Sequence, residues 1–563
     1  EIQDADGNKV ANSTVSVTVA MTNGTLDGTD TVPAVGGVAT FAGLSASGSV
    51  STTKVLSFSA SQLTGTSQPA FTLTHGAAHH IRTTAGTGVL SILSGSTRSG
   101  INFGQQPAVA IEDADNNRVT TGAESTQTVT VSASASGLSG TKTVAASSGL
   151  VTYSDLKMTA LIGNYTLTYT ADTSGSTGTT PFTLTYGAAS QLSVSTLADG
   201  FVNRADFTTQ PAVTIQDSMG NTVENASMSI DVTIDTGDLT GTTRVNVVNG
   251  VATFAGLGKH GTIGLKTLTF SKTGGGVTPA TQPFTLTYGA VHHLSMAVAN
   301  TLANDTAWAT QPVVTIQDED NNTVDSSASV TLTATGATAV AIGGTTSMDA
   351  VHGVANFANK GVKLTGLAGS KTLTATITSP GTFSVPATIT LGYGAATKLK
   401  LTTEPTGFVN RTNFTVQPVV TVQDISGNTV LNSSISIDVT IDTGDITGTK
   451  QVAAVNGVAT FAGLGKAGTI GPKTMTFSDA AGALAVDTKQ FTLTHGAAHH
   501  ITMAVASTLV NHTAFGTQPV VTIYDQDDNV VTSGSQSTQT VTLSATGAST
   551  VTLDGSVSMD AAD

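Results

Sequence analysis

Four times along the chain two aspartates and an asparagine alternate with single residues: Asp4/Asp6/Asn8, Asp113/Asp115/Asn117, Asp318/Asp320/Asn322 and Asp525/Asp527/Asn529. Alternate oxygen-bearing side chains in a tight loop can converge on one Ca2+, a hard cation that takes oxygen ligands. These twelve residues are the candidate metal ligands, and Ca2+ is the one candidate cofactor. Asp and Asn are also the ordinary residues of a β-turn, where they bond their own backbone two residues on. At 217–221 and 424–428 the second Asp is replaced by Met219 and Ser426, and no copy carries a downstream Glu at the EF-hand spacing. Turn chemistry is therefore the preferred reading and Ca2+ the alternative.

Other residue groups point to weaker chemistry. His79-His80, His292-His293 and His499-His500 recur, with His75 and His495 close to two of them. Neighbours on a strand point to opposite faces, so such a pair is expected to pack a junction and not to chelate a metal. Asp235-Thr236-Gly237 and Asp442-Thr443-Gly444 match the aspartic-protease triplet, but that chemistry needs two carboxylates sharing one site, and these lie in separate repeats. No catalytic residue is assigned. Lys54, Lys266, Lys371 and Lys473 each open a strand-like run, which admits a Lys–Asn isopeptide cross-link. Tyr165 at the matching place favours instead a rim position where a Lys stem snorkels. Sequons at Asn12, Asn164, Asn304, Asn410, Asn413 and Asn511 admit glycosylation.

The scaffold for these groups can be bounded from composition. A chain of 563 residues exceeds one hydrophobic core and predicts several domains of ~100–150 residues. Charged residues are only 10%, while Ser, Thr, Asn and Gln fill over a third of the positions, which suits β-structure with uncharged outer faces. A net charge of −15 without Lys/Arg clusters disfavours nucleic acid as a partner. No apolar run approaches 18 residues, so no membrane span is expected in this segment. With no Cys, disulfides, zinc–thiolate sites and thiol catalysis are excluded together.

Self-similarity supplies the organisation. Gln-Pro, a short apolar run and an Asp turn recur at Gln106-Pro107, Gln210-Pro211, Gln311-Pro312, Gln417-Pro418 and Gln518-Pro519. The following Asp residues (Asp113, Asp217, Asp318, Asp424 and Asp525) continue a series that starts at Asp4, at intervals of 109, 104, 101, 106 and 101 residues. Each interval has the length of a domain, too long for a solenoid repeat. A second phrase, Phe-Thr-Leu-Thr followed by an aromatic or His and Gly-Ala, marks the seams at Gly76, Gly187, Gly289 and Gly496, with a variant at Gly394. The expected domains are 1–76 (partial, lacking its N-terminal part), 77–187, 188–289, 290–394, 395–496 and 497–563 (partial, lacking its C-terminal part). Shared phrases such as Phe-Val-Asn-Arg at 201–204 and 408–411 make the unit a two-domain cassette of 207 residues.

Within 188–289 alternating runs return about seven times, at Gln191–Leu197, Ala212–Asp217, Ser229–Asp235, Arg244–Val248, Val251–Phe254, Leu265–Ser271 and Gln282–Tyr288. That pattern predicts an all-β immunoglobulin-like sandwich in each repeat. Asn249-Gly250 predicts a two-residue type I′ turn with its flanking strands paired. The aromatic four residues before each Pro (Phe103, Phe207, Trp308, Phe414 and Phe515) is expected to anchor a core. Pro-x-Val-x-Ile-x-Asp, a turn ending in Asn and Val, and then Asn-Gly-Val-Ala-Thr-Phe resemble the bacterial immunoglobulin-like repeats of invasin- and intimin-type adhesins and other giant microbial surface proteins. The resemblance implies an extracellular or cell-surface, non-enzymatic structural array: a stalk, or a segment that forms a filament, sheath or surface layer. Alternatives are an adhesin stalk presenting a terminal receptor-binding domain, or accessory modules of a secreted glycan-active enzyme, with surface glycans as partners. Seams of two or three residues, as at Tyr288-Gly289-Ala290, predict stiff connections. Outward Thr and Ser rows, such as Thr267/Thr269 and Thr474/Thr476, predict self-association with neighbouring copies, because burying hydroxyls avoids the cost of burying charge.

Overall fold

The structure, a computed structural model, describes residues 1–83 and 97–562. It divides into two compact units, Glu1–Thr287 and Tyr288–Asp563. Regular structure is almost wholly β; among the described residues the sole helical piece is a 3-10 turn at Ala123–Thr126. Among the described residues no helix is long and apolar enough to cross a membrane.

In the first unit the plainest sandwich runs from Gln191 to Leu286. One sheet orders Gln191–Thr196, Ala212–Gln216 and Val251–Thr253; the other orders Arg244–Asn246, Ser229–Ile234, Gly264–Lys272 and Ala280–Leu286, all neighbours antiparallel. Alternation sets which side chains meet: every second residue of Ala280–Leu286 is buried. Val213, Ile215, Ile230, Phe254, Leu268 and Phe270 close one core between the sheets. Two antiparallel sheets face to face over one core make an immunoglobulin-like β-sandwich. All seven alternating runs are strands: five end one or two residues early, Leu265–Ser271 extends by one residue at each end to Gly264–Lys272, and Gln282–Tyr288 shifts two residues back to Ala280–Leu286.

Two features depart from the sequence reading. Asn249 and Gly250 both take positive φ (49° and 75°), as a type I′ turn requires, but their flanks share only the Val248–Val251 bridge. Beyond it Arg244–Asn246 joins one sheet and Val251–Thr253 the other. The turn is thus a corner between sheets, and packing of the two faces overrides local pairing. A third small sheet, formed by Ala205–Asp206, Gly258–Lys259 and Leu239–Thr240, has strands of two residues each, too short to show alternation.

The Gln-Pro phrase also has a physical reason. Gln210 Nε2 donates to the carbonyls of Phe207 (2.8 Å) and Leu257 (3.0 Å), and its Oε1 accepts the Leu257 amide (2.8 Å). Gln106, Gln311 and Gln417 repeat this arrangement with Phe103/Leu156, Trp308/Val362 and Phe414/Leu464. A side-chain amide therefore satisfies backbone groups where the sheet cannot. It also fixes the aromatic: Phe103, Phe207, Trp308 and Phe414 are all buried core residues, while Phe515 is half-buried.

The sandwich from His80 to Thr185 in the first unit keeps the plan with one addition. Thr97–Arg98 lies parallel to Thr177–Thr185 at a sheet edge. In the second unit the sandwich from Lys398 to Leu493 repeats the 191–286 layout, and the one from His293 to Gly392 carries the parallel edge, Thr301–Ala303 beside Phe383–Gly392. Each has its own apolar core. A smaller core lies around Ile2, Val17 and Ala34, and residues from His500 onward form two strand pairs.

Candidate functional site

The Asp turns share one local geometry, and Asp113, Asp217, Asp424 and Asp525 sit where one sandwich meets the next. Asp217 Oδ1 accepts the amides of Met219 (2.9 Å) and Asn221 (3.0 Å), while Oδ2 accepts Asn221 Nδ2 (2.8 Å) and the Gly187 amide of the preceding seam (2.8 Å). Asp113 does the same with Asp115, Asn117 and Gly76, Asp424 with Ser426, Asn428 and Gly394, and Asp525 with Asp527, Asn529 and Gly496. Asp318 receives Asp320, Asn322 and Gly289 likewise. Asp4 keeps the local half of the pattern, accepting the amides of Asp6 (3.1 Å) and Asn8 (2.8 Å).

The asparagine four residues on completes the joint. Asn221 Oδ1 accepts the Ile162 amide (2.8 Å) and its Nδ2 donates to the Ala160 carbonyl (3.0 Å), so one side chain pairs with the preceding sandwich's backbone as a strand would. Asn117 pairs in this way with Val50 and Gly48, Asn428 with Ala368 and Gly366, and Asn529 with Ile470 and Gly468. Sequence reading passed over Asn221 and Asn428 because the second Asp is absent beside them. Met219 and Ser426 contribute only their backbone amides, so the operative pattern is Asp-x-x-x-Asn, which stands in all six copies.

In the second unit another buried asparagine reaches into the cradle from the preceding sandwich. Asn304 Nδ2 donates to Asp424 Oδ2 (2.8 Å) and Ser426 Oγ (3.0 Å); Asn410 Nδ2 donates to Asp525 Oδ2 and Asp527 Oδ2 (2.8 Å each). Arg411 adds a two-pronged pair to Asp527, 2.7 and 2.6 Å. Asn304 and Asn410 are each 1% exposed, so those two sequons are closed to glycan in the folded chain, while Asn12, Asn164, Asn413 and Asn511 are exposed. Three of the seam glycines, Gly187, Gly394 and Gly496, are required by close approach. A Cβ on Gly187 would lie 2.3 Å from the Ser99 carbonyl oxygen, and one on Gly394 would lie 2.3 Å from that of Asn304.

Burial would by itself raise the pKa of Asp113, Asp217, Asp424 and Asp525, but the converging N–H donors outweigh it. All four carboxyls lie below the ordinary value, with Asp525 lowered to about 2. This donor set bears on Ca2+, which asks for six to eight oxygens. Around Asp113 Oδ2 stand the Gly76 amide and Asn117 Nδ2, both N–H donors, and Asp115 Oδ2 is turned to the Gly48 amide (2.9 Å). Among the described residues no three His, Cys, Asp or Glu gather as a metal site. As placed, these oxygens hold N–H groups and form no oxygen cage.

The remaining sequence candidates are dispersed. Asp235 and Asp442 are each exposed in a turn, Asp442 Oδ2 accepting the Thr474 amide (2.9 Å). His75 and His495 have both ring nitrogens engaged, Nδ1 with the next carbonyl and Nε2 with Thr121 or Ser533. The lysines are not at a rim, as expected from Tyr165: Lys54 and Lys371 are 0% and 2% exposed, and Lys266 and Lys473 are buried too. Loop oxygens cover the ammonium: Lys54 Nζ donates to the Ser49 (2.6 Å) and Thr52 (2.9 Å) carbonyls, and Lys371 Nζ to Thr338 Oγ1 (2.6 Å). Neither faces an Asn amide, as an isopeptide would need.

No family model matches the chain, and no curated protein matches it. Solved structures similar to it include invasin, a bacterial integrin-binding protein, at 12% identity and a TM-score of 0.27, covering 73% of this chain and 78% of that one. A tetra-tandem repeat in the extending region of a large adhesion protein shares 16% identity, with a TM-score of 0.25 and coverage of 72% and 98%. Domains 4–9 of the surface layer protein SbsC share 16% identity, with a TM-score of 0.20 and coverage of 93% and 81%. At such identities the likeness concerns the fold alone.

Proposed function

We propose that the chain is a non-enzymatic structural repeat array of a large microbial surface protein, acting outside the cell as a stalk or as a segment that assembles into a filament, sheath or surface layer. We take its domains to be 1–76, 77–187, 188–289, 290–394, 395–496 and 497–563. The observation that carries the reading is the repeated Asp-x-x-x-Asn joint, in which conserved geometry and buried polar groups are spent on tying one sandwich to the next. A binding module would leave such groups open to a ligand; here they face backbone. Outward hydroxyl pairs such as Thr18–Thr31 and Thr130–Thr143, each bonded side chain to side chain, give a low-charge coat suited to lateral contact between copies. Electron microscopy of the concentrated full chain tests assembly: ordered sheets, tubes or filaments are expected, and isolated single chains at every concentration would leave a plain spacer. Single-molecule pulling tests the array itself. Separate unfolding events are expected, each releasing on the order of 350 Å for ~100 residues; one concerted event would contradict it.

A further inference from the structure

The paired histidines hold a geometry that the alternation of a strand would forbid. The strands begin at His80, His293 and His500, so the first residue of each pair stands just outside and its ring is free to turn back. That residue is fixed through its backbone: the amides of His79, His292 and His499 donate to the carbonyls of Glu112 (2.8 Å), Gln317 (2.9 Å) and Tyr524 (2.8 Å). The outcome is the same three times. Nδ1 of the first ring lies 3.4, 3.3 and 3.4 Å from Nδ1 of the second, with the rings at 83–84°. In each pair the two Nδ1 atoms thus stand together on one side of the chain, within hydrogen-bond distance of each other.

The other nitrogen of the second ring decides its tautomer. His293 Nε2 faces Asn321 Oδ1 at 3.2 Å, His500 Nε2 faces Asp528 Oδ1 at 3.2 Å and His80 Nε2 lies 3.6 Å from Glu112 Oε2. Asn321 Oδ1 and Asp528 Oδ1 accept, so Nε2 of His293 and of His500 carries the hydrogen and Nδ1 keeps its lone pair, aimed at the neighbouring ring, whereas the Glu112 carboxylate stands too far from His80 for a hydrogen bond. The first histidine is exposed, so its own hydrogen can sit on Nε2 in water and leave its Nδ1 free as well. Two nitrogens ~2.0–2.1 Å from a tetrahedral Zn2+ stand roughly 3.3–3.4 Å apart, which is the separation found here. At the matching positions of the other two sandwiches stand Ser190-Gln191 and Thr397-Lys398, which offer no imidazole.

We propose that His79/His80, His292/His293 and His499/His500 are three equivalent two-nitrogen chelates for a divalent transition-metal ion such as Zn2+, bound through both Nδ1 atoms, with water completing the coordination. Neutral imidazoles bind without losing a proton; the first ring only moves its hydrogen from Nδ1 to Nε2. Asn321 and Asp528 are positioning residues that orient the second ring of their pairs.

Calorimetric titration of the full chain with Zn2+ tests this. Three ions per chain are expected, with one fewer for each of His79→Ala, His292→Ala and His499→Ala, and an unchanged count for His352→Ala, whose ring faces Asp325 instead. Asn321→Ala should weaken its one site roughly tenfold without abolishing it. The substituted histidines are exposed, and metal-free melting curves matching the unaltered chain would show that folding is intact. X-ray absorption on the unaltered, Zn2+-loaded chain should report two imidazole nitrogens per ion. Absence of saturable binding, a count untouched by the triple substitution, or fewer than two imidazoles per ion would overturn the proposal.

Discussion

Asp217 and its counterparts show how one carboxylate can order a joint: four N–H groups converge on two oxygens, and one comes from the residue that ends the previous sandwich. Removing the asparagine that this carboxylate holds leaves its partners across the joint unpaired, so Asn117→Ala should destabilise the joint by roughly 2–3 kcal/mol. Asp115→Ala removes one bond from an exposed residue and should cost about 1 kcal/mol or less. Calcium or chelator should shift neither melting curve, because the oxygens already hold N–H donors. A stabilisation by Ca2+ that Asp115→Ala abolishes would contradict this. Acid gives an independent test. Asp525 is held to about 2 in the folded chain, whereas an unfolded Asp titrates near ~3.9. The stability it contributes is full above about pH 4 and is lost as pH falls toward 2, roughly 2 kcal/mol in all. Melting followed from pH 6 to 2 should show this loss, and Asp525→Asn should flatten it.

At the scale of elements, glycine separates turn strain from joint packing. Gly220 takes φ +87° with nothing within 4 Å of a Cβ, so Gly220→Ala should cost only about 1 kcal/mol. Gly187 takes no positive φ, yet its Cβ would lie 2.3 Å from a carbonyl, so Gly187→Ala must push the joint apart and should destabilise the chain by more. Equal melting temperatures for the two variants would count against the joint as a packed element. The seven strands of 191–286 were legible because alternation is set by burial on one face, as in Ala280–Leu286. The two-residue strands, the corner at Asn249-Gly250 and the parallel edge at Thr301–Ala303 were not, since they depend on which sheet a segment joins.

Over the whole chain, the joints were half visible in sequence. The Asp series and the seam glycines gave the period, but attention to Asp-x-Asp favoured four copies and hid the asparagine that six share. Residues such as Asn304 and Asn410 act on partners more than 100 positions away, which no local motif reveals. The central claim is that these side chains couple successive sandwiches. Hydrogen exchange on the full chain carrying Asn221→Ala tests it most directly. Ile162, whose amide donates to Asn221 Oδ1 across the joint, should exchange at least ~10-fold faster than in the unaltered chain, while the core amides of Ile215 and Val223 keep their protection. Unchanged exchange at Ile162 would contradict the account.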